Sequence, residues 1–270
     1  MPIEFIRVNR EGKDLRGILH LPREMHPPCV IASHGLFSSK DSDKFVAIGE
    51  YFSERRIALI RYDHCGCGES DGDITDTTVT GRIADLNAMC AFARSHPLLG
   101  DRIGLLGSSM GGFISVLKAA VDREIAGLVL WATPATIREG RKQIEENAAE
   151  EGAPRMKKAF YLDARRYDAR EAITRVSHCL ILHGEMDEVV PVGQALELYA
   201  AALSPKEMEI FPGGDHRFTS VEDRRRGIEM SLQWFLRCFG YTDTTRRTDG
   251  GIQGGGDEYR HRRGLGRDTE

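Results

Sequence analysis

The chain has no apolar run approaching the roughly 20 residues that a membrane-spanning helix needs, so no membrane association is expected. The first residues, Met1-Pro2-Ile3-Glu4-Phe5-Ile6-Arg7, lack the apolar core of a secretory signal. Charge imbalance is small. A formal net charge of -4 over 270 residues gives no argument for binding nucleic acid or an anionic membrane. Cysteine is sparse at six residues, and several fall inside predicted strands or helices of a large chain. Reduced, mostly buried thiols in a cytoplasmic protein are therefore expected, not a disulfide framework. His64-Cys65-Gly66-Cys67 has no partner cluster at zinc-site spacing, so no metal is expected there. The redox role of Cys65 and Cys67 stays open, because it depends on exposure. There is no internal repeat.

What the chain does have is an alternation of apolar runs and helical patterns. Glu4 to Val8 and Leu15 to Leu21 read as a hairpin turning at Glu11-Gly12-Lys13. Cys29 to Ser33, Ile57 to Asp63, Arg102 to Leu106, Ile125 to Thr133 and Cys179 to Leu182 are almost uniformly apolar, as strands buried on both faces are. Between them, Asp43 to Arg56 and Val79 to Ser95 carry helical periodicity, the second with Ile83, Leu86, Cys90 and Ala93 inward. Further helices are expected at Gln194 to Ala202 and Val221 to Phe239, with a short strand at Glu207 to Phe211. This order predicts an α/β fold: a mainly parallel central sheet flanked by helices, over residues 1–240.

The alternation lapses between about 137 and 178. Arg138 to Glu151 reads as a highly charged helix, and Met156 to Leu162 as a more apolar stretch. We read the segment as a small inserted cap; a surface excursion away from the site is the alternative. From 241 to 270 the chain is glycine, arginine, threonine and aspartate with almost no apolar content, the composition of a disordered tail.

Gly107-Ser108-Ser109-Met110-Gly111 lies between a strand and a helix, the setting of a nucleophile elbow. Glycines at 107 and 111 would let the backbone reverse sharply around Ser109. A serine hydroxyl needs a base within reach, and the base needs an orienting carboxylate. In α/β folds reactive groups gather at the C-terminal ends of strands. The strand ending at Leu182 is followed by Asp187 and the strand ending at Phe211 by His216, giving the order Ser109, Asp187, His216. Glu185 and Glu188 flank Asp187 and stay open as the acid. Asp215 is expected to serve its own loop, and His34 and His183 to structure theirs.

These residues make the chain resemble the α/β-hydrolase superfamily over nearly all of residues 1–240. It is similar to small serine esterases of the feruloyl/cinnamoyl esterase, dienelactone hydrolase-like and serine aminopeptidase-like groups. The segments that carry the likeness are His34-Gly35-Leu36, the elbow, His183-Gly184-x-x-Asp187-x-x-Val190-Pro191, and Asp215-His216-x-Phe218. The loop Arg61-x-Asp63-x-x-Gly66-x-Gly68-x-Ser70 is also similar. The resemblance implies Ser109 as nucleophile, His216 as base, Asp187 as orienting acid, and the N–H groups of Leu36 and Met110 as the oxyanion hole. Phe37, Trp131, Phe160, Tyr161 and Val189 are candidates for an apolar substrate pocket, with core packing as the alternative for Trp131 and Phe160.

The expectation is a serine carboxylesterase acting on small-molecule esters with small to medium apolar or aromatic acyl groups, using no cofactor. A homodimer is compatible with the sequence. An aminopeptidase-like enzyme, using Glu145, Glu146, Glu150 and Glu151 to hold an ammonium, is the first rival. A thioesterase or acyltransferase is the second, and a non-catalytic ligand-binding protein the remote one.

Overall fold

The computed structural model describes residues 1–137 and 155–241. The hairpin forms as β1 (Ile3–Arg10) and β2 (Lys13–His20), antiparallel. There follow β3 (Cys29–Ser33), α1 (Asp43–Ser53), β4 (Ala58–Tyr62), α2 (Val79–Ser95), β5 (Ile103–Ser108), α3 (Met110–Ala119) and β6 (Ile125–Trp131). After the undescribed residues come two short helices, α4 (Lys158–Ala164) and α5 (Ala169–Ile173). The chain then completes β7 (Cys179–Gly184), α6 (Val192–Ala201), β8 (Lys206–Phe211) and α7 (Val221–Cys238). The helix expected at Arg138 to Glu151, the glutamates 145, 146, 150 and 151, and the tail from 242 lie outside the described residues.

The strands join in one 8-stranded sheet, order β1-β2-β4-β3-β5-β6-β7-β8. Pairing is parallel from β4 through β8, and β2 meets β4 antiparallel. Side chains alternate faces along each strand. Val30, Leu59, Leu106, Val129 and Leu180 therefore face one core layer, shared with Phe45, Ile48 and Phe52 of α1 and Ile228, Leu232 and Phe235 of α7. Ile31, Ile60, Leu105, Leu128 and Ile181 face the other, under α2, α3, α5 and α6. Fully burying each such side chain stabilises the fold by about 1.5–3 kcal/mol, which is why uniformly apolar strands sit in the middle of this sheet. Among the described residues no helix is long and apolar enough to cross a membrane.

The inward face of α2 departs from the apolar pattern. The buried positions are Val79, Arg82, Asp85, Leu86, Met89, Cys90 and Ala93, while Ile83 is only half-buried. The helix is rotated so that two charged side chains point into the protein. Asp85 accepts the Cys65 N–H at 3.0 Å and pairs with Arg10 at 2.8 Å. Leu86, Cys90 and Ala93 point inward as the periodicity predicts, and Arg82 and Asp85 join them there to serve neighbouring loops. A short 3-10 turn at Ile74–Asp76, capped by Asp73, also escapes the apolar pattern.

Candidate active site

β5 ends at Ser108 and α3 starts at Met110, so the whole reversal falls on Ser109. Its backbone sits at φ 54, ψ -122, a region that non-glycine residues rarely occupy. Pairing of the Ser109 N–H with the Trp131 carbonyl at 2.8 Å holds it there. The turn is tight enough that a Cβ on Gly107 would overlap the Gly111 carbonyl, and one on Gly111 would overlap the Ser33 carbonyl.

Asp187 and His216 follow β7 and β8 at the same end of the sheet. His216 Nε2 lies 3.1 Å from Ser109 Oγ, and His216 Nδ1 lies 3.0 and 2.9 Å from the two carboxylate oxygens of Asp187. The Asp187 carboxylate is fully buried, and its Oδ1 accepts the N–H groups of Val189 at 2.9 Å and Val190 at 2.7 Å. The carboxylate is therefore locked before the imidazole meets it. The neighbouring acids turn elsewhere. Glu185 accepts the Gly213 N–H at 3.1 Å and Glu188 the His216 N–H at 3.2 Å, so both shape the loop that carries His216. Asp215 bonds to the N–H of Thr219 at 3.0 Å and to its hydroxyl. His183, fully buried, bonds through Nε2 to the Val190 carbonyl at 2.8 Å, and burial lowers its pKa.

Leu36 lies in the loop after β3. A Cβ on Gly35 would stand 3.5 Å from Ser109 Cβ, so this loop passes directly over the serine. The Gly35 carbonyl and the Leu36 N–H belong to one planar trans peptide and point in opposite directions. The carbonyl is held from behind by two donors. His34 Nδ1 lies 2.7 Å from it, and Arg82 Nη1 3.1 Å. His34 Nε2 accepts the His64 N–H at 3.1 Å, which leaves the proton on Nδ1 for that role. Burial, with His64 and Arg82 nearby, keeps His34 neutral by lowering its pKa well below the usual value. Arg82 Nη2 also donates to the Leu36 carbonyl at 2.9 Å. Its guanidinium is buried and spans two consecutive carbonyls of the loop. The other end of the loop is pinned by the buried pair Lys40–Asp63, 3.1 Å, with Asp63 also taking the Lys40 N–H at 2.7 Å. Met110 opens α3, where its N–H has no acceptor within the helix.

A cavity of about 670 Å³ opens above Ser109 and His216. Phe37, Met110, Val189 and Phe160 line it, and Leu36 forms part of its wall. Trp131 and Tyr161 do not. Trp131 is fully buried in the sheet, donates from Nε1 to Ser231 Oγ at 3.2 Å and packs edge-on to Phe218 at 4.8 Å. It ends β6 on the face opposite Leu130, and that face belongs to the core under α7. Tyr161 is half-buried against Phe160, whose ring reaches the cavity from α4 in its place.

The His64-Cys65-Gly66-Cys67 loop directs its polar atoms at three separate partners. His64 bonds to Asp85 at 3.2 Å, Cys65 Sγ receives Arg10 at 3.1 Å, and Cys67 Sγ receives Arg82 at 3.4 Å. All six cysteines are free thiols, and burial raises the pKa of Cys65 and Cys67.

Arg82, Lys44 and Arg224 stand at the site without having been singled out in the sequence. Lys44 and Arg224 line the cavity, and Lys44 donates to Ser108 Oγ at 2.8 Å. Lys44 had one legible signal: a cation in the first turn of a helix, where the dipole disfavours it. Arg82 had none beyond its place in a helix.

A mainly parallel sheet with helices on both faces, a strand–serine–helix reversal, and acid and histidine on the two following strand ends define an α/β hydrolase. Within that class, residues 73–242 match the prolyl oligopeptidase family, and the chain belongs to it. It is 28% identical over 220 residues to the mouse palmitoyl-protein thioesterase ABHD10, mitochondrial, covering 73% of this chain and 71% of that protein. The structure superposes on that of Est1E from Butyrivibrio proteoclasticus, solved with ferulic acid, at a TM-score of 0.77 and 21% identity over 87% of this chain and 99% of that one. The α/β hydrolase GrgF from Penicillium sp. sh18 gives a TM-score of 0.75 at 19% identity, over 88% and 99% of the two chains.

Proposed function

We propose that this hydrolase cleaves carboxylic esters through a covalent acyl-enzyme on Ser109. The observation that supports it is the continuous relay from Ser109 Oγ through His216 to the buried Asp187, at 3.1 and 2.9 Å. In this reading His216 Nε2 takes the hydroxyl proton as Oγ bonds to the acyl carbon, and returns it to the departing alcohol. Water, deprotonated by the same nitrogen, then releases the acid and restores the serine. Asp187 keeps the proton on Nδ1 and stabilises the imidazolium that forms. The negative charge of each tetrahedral intermediate falls to the N–H groups of Leu36 and Met110. Each such donor is worth on the order of 3 kcal/mol of barrier.

The cavity wall of Phe37, Phe160 and Val189 suits small to medium apolar or aromatic acyl groups. In this reading residues 137–178 act as a cap, with Phe160 as its contribution to specificity. The thioesterase name of the mouse relative favours thioesters as a second substrate class. The family name keeps amides in view. Labelling by a fluorophosphonate, abolished in Ser109→Ala, tests the nucleophile. Aryl esters assayed beside acyl-CoA and aminoacyl amides test the class. Wild-type protein that neither labels nor turns over any of the three overturns the proposal; a clear preference for amides or thioesters moves it to that class.

A further inference from the structure

The cavity holds a cation that ester cleavage does not require. Lys44 Nζ donates to Ser108 Oγ at 2.8 Å and stands 5.3 and 5.7 Å from the ring centres of Trp131 and Phe218. It has no carboxylate in contact among the described residues; Asp215 and Asp187 act on it only from a distance. Three influences oppose its charge. Burial removes its hydration, Arg224 of α7 adds a like charge, and the first turn of α1 presents the positive end of a dipole. The first two lower its pKa to about 8. Arg224 lines the same cavity and is itself without an acidic partner among the described residues.

A second feature points the same way. Ser42 is the N-cap residue of α1, yet its side chain makes no capping bond. Its Oγ is buried and has no hydrogen-bond partner among the described residues, and the residue lines the cavity beside Lys44. Buried hydroxyl oxygens in proteins are almost always paired, and a half-buried cation favours an anion beside it. Here a cation that no carboxylate touches among the described residues and a buried hydroxyl oxygen face one cavity, at the N-terminus of a helix.

We propose that Lys44, Ser42 and Arg224 form a subsite for a carboxylate carried by the substrate's acyl chain, so that the favoured substrates are monoesters of short dicarboxylic acids. The assignment to an ester rests on the function proposed above. The acyl side is part of the proposal; the bond from Lys44 to Ser108, the chain neighbour of Ser109, keeps the subsite within a short acyl chain of the reacting carbonyl. A monoanion fits better than a phosphate dianion because Asp43 and Glu188 also line the cavity and would repel the second charge.

The test has two arms. In the first, kcat/KM is measured for 4-nitrophenyl hydrogen glutarate and for its methyl ester. The wild type should favour the free carboxylate. The ratio should fall about ten- to a hundred-fold in Lys44→Met, the worth of a charge-assisted hydrogen bond, and recover in part in Lys44→Arg. Arg224→Ala should lower the ratio too, and serves if Lys44→Met does not fold. In the second arm, glutarate is titrated by calorimetry into Ser109→Ala, which cannot turn over. Binding should weaken by a similar factor when Lys44→Met is added. A wild type that hydrolyses the neutral ester without preferring the acid overturns the subsite and leaves the esterase reading intact. If neither ester is cleaved, the esterase reading fails, and glutarate binding that is absent or indifferent to Lys44 overturns the subsite on its own.

Discussion

Replacing Arg82 by methionine should slow the chemistry while leaving substrate binding nearly alone. The guanidinium touches no substrate; it donates to the Gly35 and Leu36 carbonyls at 3.1 and 2.9 Å and so acts through the loop. On the proposed mechanism it is a positioning residue for the Leu36 N–H, which points away from the Gly35 carbonyl across the same peptide plane. If the peptide turned freely, one oxyanion donor would be lost, a cost of about 3 kcal/mol or about a hundred-fold in kcat. His34 still holds the Gly35 carbonyl at 2.7 Å, so the loss should be smaller, about ten- to fifty-fold. The Leu36 carbonyl would be left without this donor, at about 1–3 kcal/mol of stability. Lysine offers a point charge that cannot span both carbonyls, so Arg82→Lys should recover only part of kcat. Steady-state hydrolysis of an aryl ester gives kcat and KM, and urea unfolding shows whether the variant is folded. A folded Arg82→Met with kcat within about twofold of wild type would refute the reasoning, because a hole that loses its brace should lose part of its rate.

Three further outcomes follow from the geometry. Asp187→Asn should leave the fold intact and lower kcat by about 10⁴-fold, since the amide favours the wrong imidazole tautomer; ester turnover with a melting curve as control decides it. Gly111→Ala forces a methyl group onto the Ser33 carbonyl, so it should destabilise by about 1–3 kcal/mol or more and abolish fluorophosphonate labelling, both measurable on one preparation. Acid should weaken the fold through His20 and His64, whose pKa values are lowered from 6.5 to about 4 by burial and neighbouring arginines. Between those values the unfolded chain binds protons that the folded chain does not, so stability is complete above pH 6.5 and falls as pH drops towards 4. Each histidine contributes up to about 3 kcal/mol. A urea midpoint that stays flat from pH 7 to 4.5 contradicts this.

The class of fold was readable because its strands are apolar on both sides, and few other architectures bury a strand that way. The gathering of Ser109, Asp187 and His216 was readable from chain order and strand ends, and their distances now stand at hydrogen-bond length. Glu185 and Glu188 could be separated from Asp187 only by coordinates, because loop geometry decides which carboxylate faces the imidazole. For Trp131 the sequence leaves cavity lining and core packing open, because a residue ending a strand can point to either face; its alternation with Leu130 puts it in the core. Arg82 and Asp85 were hidden by the opposite problem. Hydropathy assigns charged side chains to solvent, and here a helix buries two of them to serve a neighbouring loop and the Cys65 N–H. Lys44 was hidden for a similar reason, as one more cation on a surface helix until the cavity beside it was seen.

Sheet order has a further consequence for how this protein loses activity. Ser109 follows β5, in the middle of the sheet, whereas Asp187 and His216 follow β7 and β8, the last two strands at one margin. Among the described residues β8 is paired on one side only, so detaching it breaks a single ladder. Such partial openings cost less free energy than global unfolding. An opening of that margin would carry His216 away from Ser109 while the centre of the sheet, with Trp131 buried in it, stays shut. Hydrolysis would then fade at lower denaturant or temperature than the core's spectroscopic signal. Enzymatic turnover would thus gauge the fraying of one edge, and the two half-denaturation points together would measure how much weaker that edge is than the whole.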